Sequence, residues 1–228
     1  MATLGPATDD AFLDRLSPAE RAGLFAAGTR RRYPTNTTIF FVGEPAHEVL
    51  VVLDGEVKAV VPAIDGREVI LDVLGPGALL GEIASIDGGD RSATIHTLGQ
   101  VEVLAVRCES FDQFLTAHPP VLRNMATVIA SRLRESDRRQ LEFGTGDAIG
   151  RVCARLVEMA GRYGQISEGG VTEVESPLSQ SDLASWSGLS REAIVKAMRA
   201  LRTLGWIEND GRSITILELD KLRERADG

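Results

Sequence analysis

The sequence predicts an α+β chain in which a β-rich first half, one long helix and a compact second domain follow in order. Three observations carry this. Short β-rich runs separated by glycine turns crowd residues 33–107. Residues 121–143 contain no glycine and no proline and repeat apolar residues at seven-residue spacing. Beyond Gly144 short helical patterns end in a hairpin signal. The 228 residues are 43% hydrophobic and 25% charged, a globular composition that excludes disorder as the main state and suffices for one large or two modest domains.

Residues 9–27 read as short helices. Ser17 caps one of them, Pro18 takes its first turn and Glu20 closes a capping box. Arg30-Arg31-Arg32 reads as a solvated loop run. Strands are predicted at Ile39–Val42, Val49–Leu53, Glu56–Val61, Val69–Leu74, Ala93–Thr97 and Val101–Val106. Between them stand Asp54-Gly55 and Asp65-Gly66, which signal hairpins, and Gly75-Pro76-Gly77 and Gly88-Gly89, which signal turns. Such spacing predicts a sandwich or barrel-like roll over residues 1–118. In the helix predicted for 119–143, Leu122, Ile129, Ser136 and Phe143 stand seven apart, with Met125 and Leu133 between them. This is a coiled-coil-like seam and predicts a homodimer. Gly144-Thr145-Gly146 reads as a hinge into a domain over 144–228. That domain has helices at Asp147–Ala160, Ser179–Ser187 and Arg191–Thr203, a glycine-rich loop and a hairpin at Trp206–Leu217.

The net charge of -8 lies wholly in residues 1–118, with 9 basic and 17 acidic residues, whereas 119–228 holds 16 of each. A neutral second half can still present a basic face. Two cysteines exclude a disulfide framework and a four-cysteine metal site, and suit a reducing compartment. The first residues lack a signal-peptide pattern, and no apolar run approaches the roughly 18 residues of a membrane span. A cytoplasmic protein with no membrane partner is expected. No Walker A, H-E-x-x-H or G-x-S-x-G pattern is present, so neither an enzyme nor a metal site is predicted.

Two segments carry chemistry. In Gly81–Thr94, Arg91 and the Ser92 hydroxyl are suited to a phosphate anion, Glu82 to a ribose hydroxyl, and Gly81 to close backbone approach. The bland alternative is a surface loop with an Arg–Glu ion pair. In Gln180–Met198, Ala184 stands where two helices meet closely, Gly188 four residues later where a turn needs positive φ, and Leu183, Leu189 and Ile194 supply packing. That is helix-turn-helix spacing. Ser190 caps the second helix, on which Arg191, Lys196, Arg199 and Arg202 outweigh Glu192. Ser179, Gln180 and Ser181 start the first helix and are candidates for phosphate contact.

The order Gly81-Glu82, a short helix, then Arg91-Ser92-Ala93-Thr94 resembles the cyclic-nucleotide-binding β-roll of the Crp/Fnr (cyclic AMP receptor protein) family, as do residues 43–59 and 74–82. The resemblance spans about residues 12–218. It implies that Gly81, Glu82, Ile83, Arg91, Ser92 and Ala93 form the ligand site, with Glu82 on the ribose and Arg91 and Ser92 on the cyclic phosphate. Aligned on Ala130-Ser131-Arg132-Leu133, it puts the base on Arg132, Ser136 and Asp137. Asp137 departs from the hydroxyl residue most familiar there; its carboxylate would accept from an adenine amino group and repel a second phosphate. The seam reading of Ser136, a polar residue that fixes helix register, stands beside this one.

The second domain resembles the family's winged helix-turn-helix, with its Ser-Arg-Glu present as Ser190-Arg191-Glu192. An arginine there takes guanine O6 and N7, and a glutamate accepts from a cytosine amino group. Lys196 stands where the best-known members have arginine, and Ala193 replaces a hydroxyl residue. The resemblance implies a homodimeric transcription regulator gated by cAMP. It would act on double-stranded DNA at a near-palindromic operator, with half-sites about 34 Å apart, and engage RNA polymerase. The alternatives are a family member that binds DNA without cAMP, one that senses cyclic di-GMP or a haem-bound gas (His47, His96 and His118 being the histidines present), and a nucleotide-binding module regulating a protein partner.

Overall fold

A computed structural model describes residues 11–63, 66–167, 171–210 and 213–227. Asp65 of the second hairpin signal, Glu168-Gly169-Gly170 of the glycine-rich loop and the tip of the last hairpin lie outside the described residues. Contacts divide the chain into two compact units, one ending at Arg134 and the other starting at Glu135.

The first unit opens with a 3-10 turn, Phe12–Arg15, and helix α1, Pro18–Ala27. The capping box forms: the Ser17 hydroxyl accepts from the Glu20 amide at 3.3 Å, and the Glu20 carboxylate accepts from the Ser17 amide at 2.8 Å. Next come β1 (Gly28–Tyr33), β2 (Thr38–Phe40), β3 (Glu48–Asp54), β4 (Val57–Pro62), β5 (Glu68–Leu74), β6 (Leu79–Leu80), α2 (Glu82–Asp87), β7 (Thr94–Thr97), β8 (Val101–Arg107) and α3 (Cys108–Ala117). They form two four-stranded antiparallel sheets, ordered β1-β8-β3-β6 and β2-β7-β4-β5.

Leu50 and Val52 of β3 and Val103 and Ala105 of β8 face a core shared with β4, β5 and β7. The alternate residues, Val49 and Val51, Leu104 and Val106, face a second core closed by α1, α3 and the start of the long helix α4 (Pro119–Thr145). Burial on both faces explains why Val49–Leu53 reads as an unbroken apolar run.

Arg30-Arg31-Arg32 is not a loop but edge strand β1, with Arg32 in register opposite Glu102. Arg30 and Arg32 both donate to Glu102, at 2.7 and 2.6 Å, while Arg31 forks onto Glu48 at 2.6 and 2.5 Å. Hydrogen bonds from Arg32 and Arg30 hold the Glu102 carboxyl below its usual range. Nothing near the run in sequence announces these partners. Asp54-Gly55 is likewise no hairpin: β3 pairs with β8 and β6, β4 with β5 and β7, so the turn passes the chain from one sheet to the other. Gly55 has φ +79°, and a Cβ there would strike the Gln100 carbonyl.

Met125, expected beside the α4 seam, is buried with Val121 and Val128 in the first unit's own core, while Leu122 and Leu133 are exposed. Gly144 and Thr145 continue α4, and the interruption falls at Gly146-Asp147. By contacts the two units divide inside α4, between Arg134 and Glu135.

In the second unit α5 (Ala148–Tyr163) is capped by Asp147, which accepts from the Gly150 amide at 2.8 Å. That bond leads the causes holding the Asp147 carboxyl below its usual value; its ion pair with Arg225 adds to it. There follow β9 (Gly164–Ile166), β10 (Thr172–Glu175), α6 (Gln180–Trp186), α7 (Arg191–Thr203), β11 (Ile207–Asp210), β12 (Ser213–Ile216) and α8 (Leu219–Ala226). The sheet is antiparallel, ordered β11-β12-β10-β9. Cys153 is buried in α5, where burial pushes its thiol up to about 11. Among the described residues no helix is long and apolar enough to cross a membrane.

Candidate nucleotide cradle and nucleic-acid interface

Arg91 has no side-chain freedom to spare. Its backbone is locked to the preceding loop, its amide donating to Glu44 O and its carbonyl accepting from the Gly43 amide, both at 2.9 Å. Its guanidinium, on a residue 6% exposed, lies 4.1 Å from the Phe40 ring centroid. Nη2 donates to the Glu48 carbonyl at 2.7 Å and Nη1 to the Gly81 carbonyl at 3.3 Å, and Nε has no partner among the described residues. Burial pushes the guanidinium's pKa down, opposed by the charges of nearby acidic groups, among them Glu48, Glu44 and Glu82. Gly81, at φ +76°, makes this packing possible, since a Cβ would enter the guanidinium.

Glu82 opens α2 and is 3% exposed. Its Oε1 lies 2.7 Å from Arg132 Nη1, while Arg132 Nη2 donates to the Leu79 carbonyl at 2.9 Å. Thr94 anchors the far end of the segment by accepting from the Val42 amide at 3.0 Å. The structure thus brings Gly81, Glu82, Arg91 and Arg132 together. Ile83 and Ser92 are exposed, and Ala93 is half-buried against the inter-sheet core. Ser136 and Asp137 are exposed on the part of α4 that belongs to the second unit. Sequence reasoning missed Phe40 and the Glu48 and Leu79 carbonyls, because a backbone acceptor leaves no mark in residue identity. His96 spends both ring nitrogens on protein, with Thr38 Oγ1 at 3.0 Å and Glu68 Oε1 at 3.2 Å.

In the second unit α6 and α7 form the expected pair. Gly188 turns with φ +62°, and Ala184, Leu189 and Ile194 are buried. Ser190 caps α7 by accepting from the Ala193 amide at 3.2 Å. Ile194, Ala197, Met198 and Leu201 face inward, leaving Arg191, Glu192, Lys196, Arg199 and Arg202 on the solvent face. Hydrogen bonding at its own amide and from the Ser190 hydroxyl holds the Glu192 carboxyl below its usual range, so it is an ionised acceptor at neutral pH. Val195, 52% exposed, sits in the middle of that polar face and was not singled out from the sequence. The Ser179 hydroxyl is engaged in a capping box, accepting from the Asp182 amide at 3.1 Å and donating to Asp182 Oδ2 at 2.6 Å. Gln180 and Ser181 are exposed.

A β domain with a buried cation set beside a carboxylate, and a capped helix pair with a basic outer face, define a class: a DNA-binding transcription regulator that carries a cyclic nucleotide-binding domain. The profile of the cyclic nucleotide-binding domain matches residues 30–118, and that of the Crp-like helix-turn-helix domain matches residues 150–225. The chain belongs to the Crp/Fnr family. It is 31% identical over 194 residues to the CRP-like cAMP-activated global transcriptional regulator of Mycobacterium tuberculosis, covering 85% of this chain and 86% of that one. It is 30% identical over 216 residues to the cyclic AMP receptor protein of Thermus thermophilus, covering 93% and 95%. Among solved structures, FixK2 from Bradyrhizobium japonicum superposes with a TM-score of 0.75 at 25% identity, covering 86% of this chain and 96% of that one. The family consists of regulators, not enzymes.

Proposed function

We propose that the chain is a homodimeric regulator whose binding to a near-palindromic operator is gated by cyclic AMP in the Arg91–Glu82 cradle. The observation that carries the ligand reading is Arg91: a buried guanidinium whose hydrogen-bond partners are two neutral carbonyls, with Nε left over. A buried cation with no carboxylate in ion-pair contact is costly, and an anion delivered to it recovers part of that cost. The phosphate goes to Arg91 and Ser92, the ribose hydroxyl to Glu82, and Arg132, Ser136 and Asp137 are left for the base. The relatives described as cAMP-activated agree with this choice of nucleotide. Exposed Leu122 and Leu133 give the α4 seam its apolar surface for a second copy. On DNA, Arg191 and Glu192 read base edges, Lys196 and Arg199 meet phosphates or bases, Gln180 and Ser181 meet phosphates, and Ser179 and Ser190 fix the helix starts. Val195 offers a methyl-sized apolar contact suited to thymine. RNA polymerase is the downstream partner and the cytoplasm the setting.

One observation favours a second reading, in which DNA binding needs no nucleotide. The Glu82 carboxylate is already paired with Arg132, so its acceptor role requires that pair to be shared or broken. Calorimetry of the full chain with cyclic AMP, cyclic GMP and cyclic di-GMP, with and without operator, separates the two. Heat with cyclic AMP and tighter operator binding in its presence are expected; operator binding with no heat from any nucleotide selects the second reading.

A further inference from the structure

The second unit holds a charge cluster that the DNA-reading assignment does not use. Arg155 of α5 is 1% exposed, the most deeply buried charged residue described. Its Nη2 donates to Glu142 Oε2 of α4 at 2.8 Å, and its Nη1 lies 3.1 Å from Glu158 Oε2, in ion-pair contact off hydrogen-bond geometry. Its guanidinium also sits 5.3 Å from the ring centroid of Trp186, itself 1% exposed, on α6, the first helix of the DNA-reading pair. Arg139 and Arg162 stand over the same ring at 5.8 and 5.7 Å and also reach Glu158, at 3.2 and 2.5 Å.

The guanidinium donates to one carboxylate, stands in ion-pair contact with a second and has its Cζ 5.3 Å from the indole centroid, so directional polar contacts constrain where it lies against the ring. One side chain therefore ties the last turns of α4, the middle of α5 and the body of α6. Apolar packing alone would hold α6 with less angular definition, because a hydrophobic contact is non-directional.

We propose that Arg155 is a positioning residue for operator recognition: through Trp186 it fixes α6, and with it the α6–α7 pair, against the end of α4. This rests on the DNA-reading assignment of α7. Exposed Arg191, Lys196 and Arg199 supply sequence-independent attraction whatever the tilt of the pair, whereas base-edge contacts need the tilt to be right. Losing the tie should therefore lower discrimination more than overall affinity.

The test uses the full chain and an operator selected by it from a random duplex pool, with a scrambled duplex as reference. Arg155→Met keeps side-chain length, and it leaves Glu142 with Arg138 and Glu158 with Arg139 and Arg162. Expected is a tenfold or greater fall in the ratio of operator to scrambled affinity, scrambled affinity within twofold of wild type, and an unchanged folded fraction by near-ultraviolet circular dichroism. Arg155→Lys keeps the charge without the fork and should lose about threefold. If the methionine variant does not fold, the lysine variant decides. A wild-type ratio in either folded variant overturns the proposal, as does a fall in both affinities by the same factor. A wild-type ratio of one removes the DNA-reading assignment itself, and this proposal with it.

Discussion

The first unit buries Arg91 and the second buries Arg155, with Arg139 beside it, and Arg91 and Arg155 have opposite surroundings. Arg91 is enclosed by carbonyl oxygens and the Phe40 ring, with no carboxylate ion pair among the described residues. Arg155 is enclosed by two carboxylates and the Trp186 ring. Both keep a flat aromatic neighbour, so the difference lies in the counter-ion. On the proposed reading, the buried cation supplied with its anions by the protein is structural, and the one without an ion pair takes its anion from outside. Burial pushes the pKa of both guanidiniums down, which shows that desolvation alone does not tell the two roles apart.

The contrast can be broken or sharpened in several ways. The largest expected effect is on the ligand. Arg91→Ala should cost about 2–5 kcal/mol of cyclic AMP binding, the range for truncating one side of a buried charge contact, read by calorimetry. A nucleotide affinity within twofold of wild type would erase the distinction between the arginines. Arg155→Ala should leave nucleotide affinity unchanged but cost roughly 3 kcal/mol of stability in denaturant, since it empties a packed site and opens an ion cluster. That loss should exceed the loss from Arg91→Ala.

On the recognition helix Arg191→Ala should weaken operator binding by about 1–3 kcal/mol, measured by titration with labelled duplex, and relax preference at a single base pair in each half-site. Acid should expose the ionic dependence of the second unit. Burial raises the Glu135 carboxyl, but hydrogen bonding from Arg138 and the charges of Arg138, Arg139 and Arg155 outweigh it, so the folded value lies below the ordinary 4.5. A lowered folded value means stability fully present above 4.5 and lost as pH falls through the folded value. Both tryptophans, Trp186 and Trp206, belong to this unit, so their emission in an acid titration reports on it alone. The smallest effect is expected for Val195→Ala, about 0.8 kcal/mol per methylene equivalent removed, visible as reduced sensitivity to replacing one operator thymine by uracil.

Legibility in the sequence followed the range of the interactions. The capping box at Ser17, the helix start at Ser179, the Gly188 turn and the basic outer face of α7 are local, and each was readable because cause and effect lie within a few residues. The Gly81–Thr94 segment was readable as a cassette from the spacing of Gly81, Glu82, Arg91 and Thr94. Strand β1 was not, because Arg30 and Arg32 answer to Glu102 some 70 residues on. The Asp54-Gly55 turn has hairpin chemistry yet joins two sheets, since dipeptide propensity fixes the bend and not which strand pairs next. Strands β9 and β10, three and four residues long, carry too little periodicity of their own to stand out; helices α3 and α8 are amphipathic and were nonetheless not read.

By itself the sequence determined most of the chain's bends, which faces of its helices are apolar, and which cation, carboxylate and hydroxyl the proposed ligand and DNA sites draw on. These depend on backbone sterics and side-chain period, which act over a few residues. Only the tertiary structure decided that Arg91 is left with neutral carbonyls as hydrogen-bond partners, that Glu82 is paired with Arg132, and that Arg155 meets Glu142 and Glu158 beside Trp186. Which charges meet inside a core is set by the packing of segments far apart in the chain, and no residue carries its future neighbours in its own identity.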